Sequence, residues 1–219
     1  MERIVLIILT SLFLTSCAHN NISGDYRLDD NSKKGVVMGS VTYWGNHSKY
    51  RVKARRVDSL NPELDVGAGL TYRIPFMPAT EMSSYGVHGE TFALELDPGI
   101  YEFYSWHIYS RGINTFSERP FSVKIRVEPG KAIYVGNFHF HKTSAFLSSV
   151  TGAMLHLVDR YQRDMSFIDK KYPNITEVHR PLNLDKEISL GKSSADPVDA
   201  VFDMIFHIGI QGASQNAVQ

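Results

Sequence analysis

Phe121-Ser122-Val123-Lys124-Ile125-Arg126-Val127-Glu128-Pro129-Gly130 alternates apolar and polar residues and then turns. In an extended chain every second side chain shares a face, so Phe121, Val123, Ile125 and Val127 line one side. Ser122, Lys124, Arg126 and Glu128 line the other. Pro129 presets φ for the first central position of a tight turn, and Gly130 accepts positive φ at the second. The stretch predicts a strand with one buried and one wet face, then a turn into a further strand over Ala132 to His141.

The same pattern recurs upstream. Phe92, Leu94 and Leu96 share a face, Asp97-Pro98-Gly99 turns the chain, and Ile100 to Ile108 follows as an aromatic strand. Earlier still, Val37, Gly39, Val41 and Tyr43 alternate, as do Tyr50, Val52 and Ala54 against Arg51, Lys53 and Arg55. Short strands joined by such turns predict a mainly β fold, an antiparallel β-sandwich over residues 36–159. Helices come late. Asp164 to Lys171 reads as one before Tyr172-Pro173. A second is expected from Asp196, which can cap, with Pro197 at the first helical position and Val198, Val201, Phe202, Ile205 and Phe206 at helical spacing. Residues 160–219 are therefore expected to be an irregular and helical extension.

Composition sets bounds. Among 219 residues, 43% are hydrophobic and 21% charged, the balance of a chain that buries a core. Lys+Arg and Asp+Glu both number 23, and zero net charge argues against nucleic acid as a partner, since phosphate binding needs a basic footprint. The chain holds one cysteine, Cys17, so no intramolecular disulfide can form.

Cys17 closes a distinctive leader. After Met1-Glu2-Arg3, Ile4 to Leu14 is apolar apart from Thr10 and Ser11. That run is shorter than the ~20 residues a spanning helix needs, and it fits the core of a secretory signal. Leu14-Thr15-Ser16-Cys17 then resembles the lipobox of bacterial lipoproteins. The resemblance implies a signal peptide over residues 1–16, a diacylglyceryl group with palmitate-type chains on the Cys17 sulfur, and cleavage before Cys17. Two or more acyl chains, at ~0.8 kcal/mol per buried CH₂, hold a protein to a bilayer essentially permanently. Ala18 stands where the family places Asp on proteins kept in the inner membrane, which points to the outer membrane. Residues 17–35 are polar and turn-rich and read as a flexible tether.

A second resemblance lies in the sandwich. Phe92-Ala93-Leu94-Glu95-Leu96-Asp97-Pro98-Gly99-Ile100-Tyr101-Glu102-Phe103 looks like the strand–turn–strand segment of prealbumin-like (carboxypeptidase-regulatory-like) sandwiches. Pro129-Gly130-Lys131-Ala132-Ile133-Tyr134-Val135-Gly136 is similar to the next such segment in uncharacterised lipoproteins of that type. It implies a binding or structural module without catalytic residues or cofactor.

Candidate chemistry is sparse. His139 and His141 share a strand face, opposite Tyr134, Phe138 and Phe140, and could grip one metal. Their third ligand would have to come from a distant position such as His107 or His156. There is no Gly-x-Ser-x-Gly elbow, and a lipidated Cys17 leaves no thiol nucleophile. Gly86-Val87-His88-Gly89-Glu90 lacks phosphate-loop spacing and reads as a loop entering a strand. Arg51, Lys53, Arg55 and Arg56 make a basic strip, either a headgroup or polymer contact or the wet face of a strand. Tyr72, Phe76, Tyr85, Tyr104, Trp106 and Tyr109 could line a carbohydrate or peptide groove or fill the core. The expectation is a non-enzymatic envelope lipoprotein that binds or positions another envelope component, protein or polymer; the alternative is a metal-dependent envelope enzyme using His139 and His141. The anchor is checked directly: Cys17→Ser should abolish acyl labelling and membrane retention, and normal labelling in that variant would dismiss the lipobox.

Overall fold

The computed structural model describes residues 21–45, 47–58, 64–69, 79–110, 113–146 and 149–193. The leader with Cys17, the helix expected from Asp196, and Tyr72 and Phe76 lie outside the described residues. The elements run β1 (Gly35–Tyr43), β2 (Lys49–Arg56), β3 (Leu64–Ala68), β4 (His88–Leu96), β5 (Gly99–Ser110), β6 (Ile113–Phe116) and β7 (Val123–Val127). They continue as β8 (Ala132–Phe146), β9 (Ser149–Val158), the helix α1 (Tyr161–Lys171), β10 (Val178–His179) and β11 (Ile188–Lys192).

The strands form two sheets, as the alternation predicts. One has the order β11-β9-β8-β1-β4, with β10 also paired to β8; the other has the order β3-β2-β5-β6, with β7 also paired to β5. Pairing is antiparallel except that β1 and β10 each run parallel to β8. Both Pro-Gly turns carry the chain from one sheet to the other, β4 to β5 and β7 to β8, and so close the sandwich at its ends. Gly130 has φ +70°, the conformation its turn position requires.

Between the sheets the expected faces meet. Val37, Val41, Tyr43, Tyr50, Val52, Ala54, Phe92, Leu94, Leu96, Ile125 and Val127 all belong to one buried cluster. Its centre is aromatic: Tyr43 stacks on Tyr50 at 4.2 Å, and Phe140 meets Tyr50 at 5.1 Å and Trp106 at 5.5 Å, ring centre to ring centre. Trp106 is thus core and not part of a groove.

The outer face of the first sheet is covered as well, so every residue of β1 is buried. Val36, Met38, Ala93 and Ala132 pack there against Met165 and Ile168 of α1 and against Tyr172 and Ile175. Two expectations need correction at this layer. The helix begins at Tyr161, one turn before Asp164, because the Asp159 carboxylate accepts the Tyr161 N–H at 2.9 Å and so satisfies one of the free donors of the first turn. Residues 21–34 are not a free tether. Ile22, Tyr26 and Leu28 pack on the outer cluster, Ile22 N–H donates to the Ala93 carbonyl at 3.0 Å, and Tyr26 hydroxyl donates to Glu95 at 2.9 Å. Three apolar side chains in a polar stretch suffice to dock it along the open edge of β4.

A third correction concerns β8. Met38 pairs with Tyr134 but Ser40 pairs with Asn137, so β8 carries an extra residue at this point. The bulge centres on Gly136, with φ +104°. It reverses the alternation: Ile133 and Val135 face the inner core, and so do Phe138 and Phe140. Tyr134 therefore lies on the same face as His139 and His141, not opposite them. A Cβ on Gly136 would come within 2.8 Å of Leu184 and 2.9 Å of Leu157. Gly136→Ala should lower stability by about 2 kcal/mol through the positive φ alone, with the clash adding to it. Urea unfolding of the variant checks this, and an unchanged midpoint would mean the bulge is not held by that glycine.

Candidate functional site

Beyond the bulge the outer face of the first sheet turns polar. Ser40 and Thr42 on β1, and Asn137, His139 and His141 on β8, replace the apolar residues that face α1 lower down. The first turn of α1 brings Asp164 onto them with no exposed surface. Its carboxylate accepts hydrogen bonds from the Ser40 hydroxyl at 2.6 Å, the Tyr134 hydroxyl at 2.7 Å and Arg163 Nε at 2.8 Å. Burial raises the Asp164 carboxyl, and the Arg163 guanidinium and the two hydroxyls oppose that shift.

The network extends sideways. Asn137 Nδ2 donates to Ser40 Oγ at 2.8 Å and to Thr42 Oγ1 at 3.0 Å, and Thr42 Oγ1 lies 2.7 Å from His139 Nδ1. Tethered at Nδ1, the His139 ring has its Nε2 left for other contacts. His139 and His141 sit 4.4 Å apart, ring centre to ring centre, and His141 is 5.2 Å from His156 of β9. His156 Nδ1 is paired with the Glu187 carboxylate. Trp44, just past β1 and 56% exposed, stands edge-on to His139 at 6.2 Å and near His141 at 6.0 Å.

These groups frame a cavity of about 240 Å³. Its floor is Asn137, His139 and His141, and its walls are Trp44, Val87 and Val158. Arg160, Arg163 and Glu187 complete the rim. Arg160 is the residue just before α1, and among the described residues its guanidinium makes no hydrogen bond or ion pair. A second hollow, beside it, runs from Asp159 to Arg163 and reaches Arg180.

The structure gathers some of the residues the sequence singled out and separates others. His139, His141 and His156 are neighbours, whereas His107 lies on β5 in the other sheet, against Tyr109 and Phe116. Among the described residues no group of three or more His, Cys, Asp or Glu side chains could hold a metal ion. The basic strip is largely occupied. Arg51 donates to the carbonyls of Tyr50 at 2.7 Å and Ala68 at 3.2 Å, and Arg55 binds Glu102 through two nitrogens at 3.0 and 2.8 Å while covering the Tyr104 ring. Lys53 shares that face between them. Arg56 pairs with Asp58. Tyr85 and Tyr109 are exposed but far from one another in the fold, on the loop before β4 and on the opposite sheet.

Sequence reasoning missed Trp44, Asn137, Arg160, Arg163 and Asp164. Nothing local marks them. They meet only because β1 runs parallel to β8, the Gly136 bulge resets the faces, and α1 starts at Tyr161.

Burial, with His141, Arg163 and Arg160 nearby, lowers His139 to about 4. Burial does the same to His107, also to about 4. At pH 7 both rings are neutral in the folded chain and mostly neutral in the unfolded one. As pH falls from 6.5 toward 4, the unfolded chain takes up protons that the folded rings refuse, so stability decreases across that window. The urea midpoint should fall between pH 7 and about 5.5, where histidines titrate and most carboxylates do not. In His139→Gln, which can keep the bond to Thr42, the fall should be shallower; equal slopes in the two proteins would contradict the burial account.

No protein-family model, curated protein or solved structure matches the chain.

Proposed function

We propose that this protein is a non-enzymatic envelope lipoprotein, attached through lipid on Cys17, that binds or positions another envelope component at the cavity beside Trp44. The observation that carries the reading is a cavity with a rigid polar wall. Asn137 and His139, which line it, are held from behind by the buried Ser40 and Thr42, and Ser40 in turn by the buried Asp164. A wall whose rotamers are already fixed loses little side-chain entropy on binding, which is the property that separates a binding site from an ordinary polar surface. Trp44 and Arg160 add an exposed aromatic and a guanidinium unpaired among the described residues, two side chains that commonly anchor a partner.

Lipid on Cys17 would hold this surface near a membrane, with Ala18 directing it to the outer one in a cell that has two. The metal-enzyme alternative gains His156 as a neighbour of His141 but no ligand set of three among the described residues. The test is a photo-crosslinking residue placed at Val87, on the cavity wall, and at Lys124, exposed on the other sheet. After irradiation of intact cells, mass spectrometry should recover an envelope component from the Val87 variant and not from the Lys124 variant. Equal recovery from the two positions, or none from Val87, would refute the site.

A further inference from the structure

We infer that the cavity takes a sugar residue bearing an anionic group, a carboxylate or a phosphate, presented by an envelope polymer; this rests on the binding reading above. Three features of the cavity lead there. Its size comes first. At about 240 Å³ it falls below the several hundred Å³ typical of drug-sized ligands, and suits one compact ring or headgroup.

Charge comes second. Arg160 and Arg163 both line the cavity, and the carboxylates around them have other neighbours. Asp164 is buried against Arg163, Ser40 and Tyr134, Asp159 pairs with Arg180, and Glu187 lies against the His156 ring. Among the described residues the Arg160 guanidinium has no counter-ion, and its planar fork matches a carboxylate or phosphate. His139 is held neutral mainly by burial, and the Arg163 and Arg160 guanidiniums, which add to that, also work against a metal cation among these histidines.

The lining chemistry comes third, and it separates a sugar from a peptide. A peptide anchor needs an apolar slot, yet the apolar lining is only Trp44, Val87 and Val158. The rest is imidazole, amide, guanidinium and carboxylate. Such a mixture of donors and acceptors matches ring hydroxyls, each of which both donates and accepts. An exposed indole offers a flat apolar surface for the C–H face of a pyranose.

The chain reports its own occupancy. It has two tryptophans, and Trp106 is fully buried in the inner core, so a ligand-dependent change in tryptophan fluorescence comes from Trp44. The intact protein in detergent is titrated at constant ionic strength with glucuronate, glucose 6-phosphate, glucose and acetate. At least one of the two acidic sugars should bind about tenfold more tightly than glucose and than acetate. Arg160→Gln, at an exposed position, should bring that sugar down to the affinity of glucose and leave glucose unchanged. Acidic sugars no tighter than glucose, acetate as tight as either, or an Arg160→Gln protein that binds like the parent would each overturn the inference. Flat titrations alongside a protein captured at Val87 would overturn the ligand class and keep the binding site; flat titrations with nothing captured would remove both.

Discussion

Asp164 has no contact with solvent, and the position of everything on the outer face of the first sheet follows from how its charge is met. An isolated carboxylate in such a place would cost several kcal/mol. Here the donors come from three separate elements: Ser40 from β1, Tyr134 from β8, and Arg163 from the helix that carries Asp164 itself. Met165 and Ile168 press α1 against the sheet, but apolar contacts tolerate sliding. Directional bonds to one carboxylate do not. They fix one register of helix on sheet, and with it the places of Arg160 and Arg163 above the histidines.

That register coexists with a filled inner core only because of the Gly136 bulge. Without the extra residue Tyr134 would point outward while Phe138 and Phe140 pointed outward too, stripping the inner core of two of its central rings. With it, a single strand supplies Ile133, Val135, Phe138 and Phe140 to the inner layer and Tyr134, Asn137, His139 and His141 to the outer one. One glycine thus separates the hydrophobic problem of the sandwich from the polar one of the cavity. The parallel pairing of β1 with β8 then sets Ser40 and Thr42 beside Asn137 and His139, close enough for side-chain bonds across the strands.

The fold was largely readable in the chain, and for a clear reason. Alternation over Phe121 to Val127, Phe92 to Leu96 and Tyr50 to Ala54 reports burial directly, and those side chains all reach or flank the inner core. Turn chemistry at Pro129-Gly130 reports a local φ. Neither signal carries information on which strand lies beside which, so both Pro-Gly turns looked like simple strand connections although each changes sheet. The bulge left no mark beyond an ordinary glycine inside a strand pattern. Docking of Ile22, Tyr26 and Leu28 was hidden by the polar residues around them. The pair His139 and His141 was visible by spacing, but the groups that give the pair its surroundings arrive from β1, β9, α1 and the chain beyond β10. Long-range pairing decided the site, and periodicity cannot see it.

Imidazoles close together are usually taken as a sign of metal, and the charges around these point the other way. His139 keeps its lone pair mainly because it is buried, and the guanidinium groups that reinforce this also disfavour a cation. Thr42 restrains His139 and Glu187 restrains His156, as second partners restrain metal-bound rings, yet such restraint serves any ligand that needs a fixed donor or acceptor. What distinguishes the possibilities is the net charge presented to the ligand. With Asp164 matched by Arg163, the guanidinium at the rim that makes no ion pair among the described residues is that of Arg160. An open guanidinium near the neutral His139 ring, with an indole at its side, would favour negative charge on a partly apolar body.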